Sequence, residues 1–361
     1  MTDETTAHLS VAMATTENTE ITGENIPTSS SPGARFYFQL FVVIIGVIGT
    51  AANGLVLYAL VASKQHKKHV LIFHQNVLDL FSCFLLIVSY LLKLCNVYLY
   101  LTSSTSYWLF MLVTSDNIIL LVSYCSIINL AIISVERYLK VVHPVWSKKN
   151  LCPWMIYSAM AFAWIGPVVD QIVVIAFSKV IVTNGYFIVL LVTKNKSEIL
   201  VYTLWYFLSR YVIILFIFIF CYGRILVAVR RQARVMAGHS AAGSSAGQTQ
   251  SNQIQTNVIK TMIYVCAFYA ILWSPNHIVI FLLRLYPNFL KLNTVVVYYA
   301  TLFLAFLYIS ANPLIYAIKF DPVKQVIIRM IYCNKTSQQV TETDSAPRTG
   351  TMPMRSIRSQ N

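Results

Sequence analysis

Seven stretches of this chain are each long and apolar enough to cross a lipid bilayer, a distance that takes roughly 20 apolar residues. They lie near residues 36–63, 70–92, 107–135, 152–177, 199–223, 261–283 and 293–318, and a further apolar stretch at 180–193 is too short to span. Hydrocarbon offers the backbone no hydrogen-bond partner, so a chain crosses it only as helices or as a closed barrel. Runs of this length point to helices. Composition agrees: 57% of the 361 residues are hydrophobic and 11% are charged, against about 25% charged in soluble domains. With a mean hydropathy of +0.64, the chain has too little polar surface for a water-facing globule. The expected fold is an all-α membrane protein, a seven-transmembrane helix bundle.

Seven spans place the two termini on opposite sides of the membrane. Short cytoplasmic loops carry excess Lys and Arg. Lys64, Lys67 and Lys68 lie in the first loop, Lys140, Lys148 and Lys149 in the third, and Arg224, Arg230, Arg231, Arg234 and Lys260 in the fifth. The amino-terminal tail has five acids (Asp3, Glu4, Glu17, Glu20, Glu24) before its first base, Arg35. The amino terminus is therefore expected outside and the carboxyl terminus inside. The net charge of +14 is accounted for by this topology signal and lipid headgroups, not by nucleic acid. The first 34 residues are polar, so the first span is expected to act as its own signal anchor.

Four segments stand apart from the spans. Residues 1–34 and 334–361 have the composition of disordered tails, and 235–253 reads as a flexible polar linker inside a 35–319 spanning domain. Asn184-Gly185 sits between Val180–Thr183 and Tyr186–Val189, a strong β-hairpin signal; the expectation is a hairpin over the outer mouth. Asp321-Pro322 opens a short amphipathic membrane-surface helix over 320–333, with Val323, Val326, Ile327, Met330 and Ile331 on one face. Cys333 at its end is a palmitoylation candidate or a plain cytosolic thiol. Asn195-Lys196-Ser197 is a glycosylation sequon. The seven cysteines show no metal-ligand spacing.

Charges, prolines and asparagines at membrane depth mark function more often than packing. In chain order they read Asn53-Gly54; Asn76-Val77-Leu78-Asp79; Glu136-Arg137-Tyr138 through Val142-His143-Pro144; Trp164; Tyr222; Trp273-Ser274-Pro275; and Asn312-Pro313-Leu314-Ile315-Tyr316. Each tripeptide alone is weak. Together, each on its proper span, they make residues 36–333 closely resemble the rhodopsin-like (class A) family of G-protein-coupled receptors, as a divergent member.

The resemblance implies roles residue by residue. Asp79, Asn53, Ser126 and Asn312 would share a pocket holding a sodium ion, unless Asp79 is protonated and bonded to those same groups; no other cofactor is implied. Tyr308 and Ile309 add bulk beside it. Glu136 would hold Arg137 at rest, and activation would free the arginine for Tyr222 and the G protein. The acid common at the foot of the sixth span is missing, where Asn252, Gln253, Gln255 and Asn257 stand, so raised basal signalling is expected. Trp273 above Pro275 would form a lever. Val145 after Pro144 would dock into the G protein or simply pack the loop. Ile214 replaces a common proline, which implies a straighter fifth span. Thr341-Glu342-Thr343-Asp344-Ser345, once phosphorylated, resembles an arrestin-recruiting strip.

For the ligand, Ile119 occupies the place where amine receptors carry an Asp, so an amine is not expected. The outer face has Lys93, Lys179, Lys194, Lys196, Arg284 and Lys291 against Asp116 and Glu198. Asp170 and Arg210 lie inside the fourth and fifth spans, either as a structural ion pair or with Arg210 free for a ligand acid. The candidate pocket is Asp116, Ile119, Asp170, Arg210, Trp273 and Arg284. Hairpin and basic mouth favour a peptide, with a lipid or small organic acid second. The family's usual outer disulfide is absent, since Leu112 stands at its place on the third span and 178–198 contains no Cys; the outer face should be held by packing and the hairpin alone. The expected activity is ligand-driven nucleotide exchange on a heterotrimeric G protein at the plasma membrane. The chain shows no nucleophile–base pair that would make it an enzyme. A transporter or channel is the rival, but its path would have only Asp79, Asp116, Asp170 and Arg210.

Overall fold

The computed structural model describes residues 32–95, 107–108, 110–114, 116–176, 178–183, 186–191, 196–238, 246–285, 294–319 and 323–330. Seven helices are long and apolar enough to cross a membrane: Phe36–Ala62, Val70–Leu94, Met111–Val142, Pro153–Ala176, Ser197–Gln232, Met262–Leu285 and Val296–Ile315. They are called the first to seventh spans. All seven expected spans are present. The third runs further than its apolar pattern because Glu136, Arg137 and Lys140 continue the same helix to Val142.

The third span is the axis of the bundle and packs against the second, fourth, fifth and sixth. The first span lies against the second and seventh, and the seventh against the sixth. Large apolar side chains such as Ile48, Phe162, Ile172, Phe216 and Ile219 cover the outside. A surface this apolar is stable only against lipid. Inside, Tyr90, Phe306, Tyr308, Tyr269 and Trp273 are fully or nearly buried. Tyr269 meets Phe218 and Tyr308 edge-on, with ring centroids 5.5 and 5.9 Å away.

The hairpin forms as the Asn-Gly signal implies. Strands β1 (Ser178–Thr183) and β2 (Tyr186–Leu191) pair antiparallel, with Val180 opposite Val189 and Thr183 opposite Tyr186. They join the fourth and fifth spans, and this end of the bundle is called the hairpin end below. The opposite end carries Arg137.

Two expectations need correcting. The described parts of the 235–253 linker are helical: one helix runs to Gly238 and another starts at Ala246. Once a span has nucleated a helix, each further residue costs little, so residues of middling propensity are drawn in. The fifth span is not straighter for lacking a proline. It contains a π-helical turn at Leu208–Val212, the kind of bulge that breaks helical register. Tyr269 donates to the Arg210 carbonyl at 3.0 Å, and Tyr124 to the Ser209 carbonyl at 3.3 Å. Side chains from the sixth and third spans thus satisfy carbonyls at the bulge. After the seventh span, residues 323–330 are helical, with Val323 buried and Val326 and Ile327 against the core.

The first span approaches the second and seventh through Gly49. A Cβ there would lie 2.6 Å from Cys83 Sγ and 2.7 Å from Ser310 Oγ. Gly49→Ala should cost about 1–3 kcal/mol by overpacking, read as a lower melting temperature in detergent; an unchanged melting point would refute this close contact.

Candidate functional site

Polar side chains converge at three depths, and each group joins different spans. The middle group centres on Asp79 of the second span. Ser126 donates to Asp79 Oδ1 at 2.6 Å, and Asn312 donates to Oδ2 at 3.1 Å. Gln75, one helical turn before Asp79, donates to both carboxylate oxygens at 3.3 Å and also reaches Ser126 Oγ. A chain of donors stands behind Gln75. Asn129 donates to Gln75 Oε1 at 2.8 Å, His74 Nδ1 meets Asn129 Oδ1 at 3.0 Å, and Trp164 donates to His74 Nε2 at 3.1 Å. Because the indole N–H can only donate, His74 accepts at Nε2 and carries its proton on Nδ1. Every bond then points the same way, from the fourth span to the second, across to the third at Asn129, and back to the second at Gln75 and the carboxylate.

Sequence reasoning named Asp79, Ser126 and Asn312 but missed Gln75, Asn129 and His74. The i, i+4 spacing of Gln75 and Asp79 was the available signal. Asn53 does not join the cluster. It donates to the Gly49 carbonyl at 3.0 Å and to Cys83 Sγ at 3.7 Å. Nor do the residues present make a good sodium cage. The Gln75 amide presents hydrogens to the carboxylate where a cation would need bare oxygens, and Tyr308 and Ile309 are bulky side chains buried in the core.

At the hairpin end, the bulge aims Arg210 inward at Asp170. Arg210 Nε donates to Asp170 Oδ2 at 2.7 Å and Nη2 to the same oxygen; Nη2 also reaches Gln171 Oε1 at 3.1 Å. Trp205 donates to Asp170 Oδ1 at 3.1 Å. The guanidinium lies 4.8 Å from the Tyr124 ring and 4.9 Å from Tyr206. Of the two readings open for Arg210, the structure favours the structural ion pair. Asp116 is likewise committed, accepting from Lys93 at 2.6 Å and from Tyr90 at 3.1 Å. It begins the third helix from a left-handed backbone, φ 64°. This buried pair ties the second span to the third at the hairpin end. Packing and the hairpin are therefore not the only supports. Among the described residues, Cys83, Cys95, Cys125, Cys152, Cys221 and Cys266 are free.

Below these pairs sits an aromatic floor. Trp273 stacks on His277 with centroids 5.5 Å apart, and His277 stacks on Tyr211 at 5.2 Å. Pro275 lies within this helix, where it removes one backbone hydrogen bond. Ser274 bridges its own helix and the fifth span, donating to the Ala270 carbonyl and meeting Tyr211 Oη at 2.7 Å. Ile119 is fully buried in the core and has no polar role.

At the opposite end, Glu136 pairs with Arg137 at 3.0 Å and with Lys140 at 2.5 Å. His69 Nδ1 lies 3.4 Å from Arg137 Nη2. Burial, and then the Arg137 guanidinium, push the His69 imidazole down to about 4, so it stays neutral at physiological pH. Tyr222 is held elsewhere, accepting from Ser134 at 3.1 Å. Tyr138 meets His143 Nε2 at 3.2 Å. Pro144 starts the short helix Pro144–Asn150, whose Val145 is 82% exposed beside an open cleft of about 550 Å³. Pro313 is buried within the seventh helix. The side chain of Tyr316, and Asn195 and Cys333 entirely, lie outside the described residues.

Comparison with known proteins follows the same lines. Residues 52–316 match the family described as "7 transmembrane receptor (rhodopsin family)". "Probable G-protein coupled receptor 33" of Homo sapiens and of Pan troglodytes are each 27% identical over 227 residues, covering 56% of this chain. The chain spans 64% of the length of these relatives. The crystal structure of squid rhodopsin superposes with a TM-score of 0.65 at 17% identity, over 89% of this chain and 94% of that one, a likeness of fold.

Two predictions arise. Lys93→Met leaves a buried carboxylate uncompensated and should cost about 3–5 kcal/mol, while Lys93→Met with Asp116→Leu should recover most of it in the same melting assay. In wild-type protein, replacing sodium by choline should leave the melting temperature unchanged, whereas Gln75→Leu should make it sodium-dependent; a sodium-sensitive wild type would refute the role assigned to the Gln75 amide.

Proposed function

The chain belongs to the rhodopsin family of seven-transmembrane receptors, and from that premise we propose that it binds an extracellular ligand at its hairpin end and drives nucleotide exchange on a heterotrimeric G protein at the Arg137 end. The amino terminus is extracellular and the receptor works at the plasma membrane. The observation that carries this reading is the state of Arg137. It is buried, paired with Glu136, and separate from Tyr222, which is tied to Ser134. That is the arrangement of a restrained arginine with its alternative partner held one turn away.

The route between the ends uses the same residues. A ligand pressing on the aromatic floor would act on Trp273, which lies two residues before Pro275 in the sixth span. The proline-weakened helix is a hinge, and its swing would release Tyr222 from Ser134 and Arg137 from Glu136. The exposed Val145, with Pro144 behind it, offers an apolar contact to the G protein. Lys140 shares Glu136 with Arg137, which divides the carboxylate's hold and supports raised basal output. The hairpin and the cationic character of the outer face favour a peptide ligand, with a lipid or small organic acid second. After phosphorylation of Thr341, Thr343 and Ser345, the tail recruits arrestin.

The test is G-protein activation in reconstituted membranes. Glu136→Gln should raise ligand-free nucleotide exchange about fivefold, corresponding to about 1 kcal/mol in a two-state balance. Arg137→Gln should reduce exchange to the receptor-free level. Undiminished exchange with Arg137→Gln would overturn the reading.

A further inference from the structure

The hairpin end brings three buried cations together with two carboxylates. Lys93 has Asp116, and Arg210 has Asp170. Arg284, in the last turn of the sixth helix, is 9% exposed and has no carboxylate among the described residues. Its guanidinium lies 4.9 Å from the Tyr202 ring and 4.5 Å from the Tyr206 ring. The two rings and the carbonyl end of the helix favour a cation there. Two of its N–H groups still lack an acceptor: Arg284 Nε and Nη1 are buried without a hydrogen-bond partner.

Tyr206 is shared. Its ring lies 4.9 Å from the Arg210 guanidinium and 6.2 Å from the His277 ring. His277 is 3% exposed, and neither ring nitrogen has a partner. The indole N–H of Trp273, stacked beneath His277, is unpartnered as well. Buried donors in native proteins are normally satisfied, and an unpaired charged donor is the costliest exception. Here they lie together, cationic at the mouth and aromatic below, while the buried carboxylates described at this end, Asp116 and Asp170, are already taken.

We propose that Arg284 is the anchor for a carboxylate on the ligand, whose apolar or aromatic body lies over Tyr206 and His277 toward Trp273. This rests on the receptor reading above and narrows its ligand to an acid: a peptide with a free carboxyl group or a small organic acid, the recognition chemistry being the same. A planar guanidinium held by two rings is already oriented to donate to a carboxylate. The ligand's acid would balance Arg284 as Asp116 balances Lys93 and Asp170 balances Arg210, and its body would bear on Trp273.

The experiment uses the purified full chain in nanodiscs. The probes are 3-phenylpropanoate, decanoate and N-acetyl-Phe-Leu, each compared with its primary amide. Binding is read as a shift in melting temperature and as quenching of tryptophan fluorescence. At neutral pH at least one acid should bind about tenfold more tightly than its amide, and the best acid identifies the source. Arg284→Gln should abolish that preference while leaving amide binding unchanged, and Arg284→Lys should retain part of it. Equal binding of acid and amide to the wild type, or binding of none of the acids, overturns the proposal even if both variants fail to fold. So does an undiminished acid preference in Arg284→Gln. Because binding is read without a G protein, a chain that prefers acids but never drives exchange would overturn the receptor reading alone.

Discussion

A polar group inside hydrocarbon has no water to fall back on, so it must find its partner on another span. The Asp79 cluster is where this constraint shapes the bundle most. One carboxylate gathers donors from its own helix, from Ser126 on the third span and from Asn312 on the seventh. Behind it, Gln75, Asn129, His74 and Trp164 extend the chain to the fourth span. Four of the seven helices are thereby held in register by directional bonds, where lipid-facing apolar surfaces alone would let them slide. Gln75 has a second effect. Its amide presents hydrogens to both carboxylate oxygens, so neutral donors surround the acid.

The same constraint organises the hairpin end. Without a disulfide, the tops of the second and third spans are joined by Lys93 and Asp116. Buried ion pairs add little net stability over an apolar pair, but breaking one is costly. They therefore specify one arrangement more than they strengthen it. The π-helical turn in the fifth span belongs to this logic. It turns Arg210 toward Asp170, and tyrosines from the third and sixth spans cap carbonyls at the bulge. Arg284 is left as a buried cation with no carboxylate partner among the described residues.

At the other end, restraint is local and divided. Glu136 serves two cations, Arg137 and Lys140, and His69 sits beside the arginine as a neutral ring. Among the described residues at this end, nothing matches the density of bonds around Asp79. A bundle tied firmly in the middle and loosely at the Arg137 end can change shape at that end first.

Apolar length and loop charge are local properties, so the spans, the hairpin at Asn184-Gly185 and the positions of Asp79, Glu136, Arg137, Trp273 and Pro275 were legible in the chain by itself. So was the lack of a cysteine at Leu112 and over 178–198, since a cysteine is present or it is not. Pairing was not legible. Whether Arg210 meets Asp170 or a ligand, whether Asn53 faces Asp79 or Gly49, and which acid takes Lys93 all depend on helix rotation and on one bulge that shifts register. Those are set by contacts between residues far apart in the chain. Residue type and periodicity decided which groups enter the membrane; only packing of the helices against one another decided which of them are satisfied and which, like Arg284, are left to bind something else.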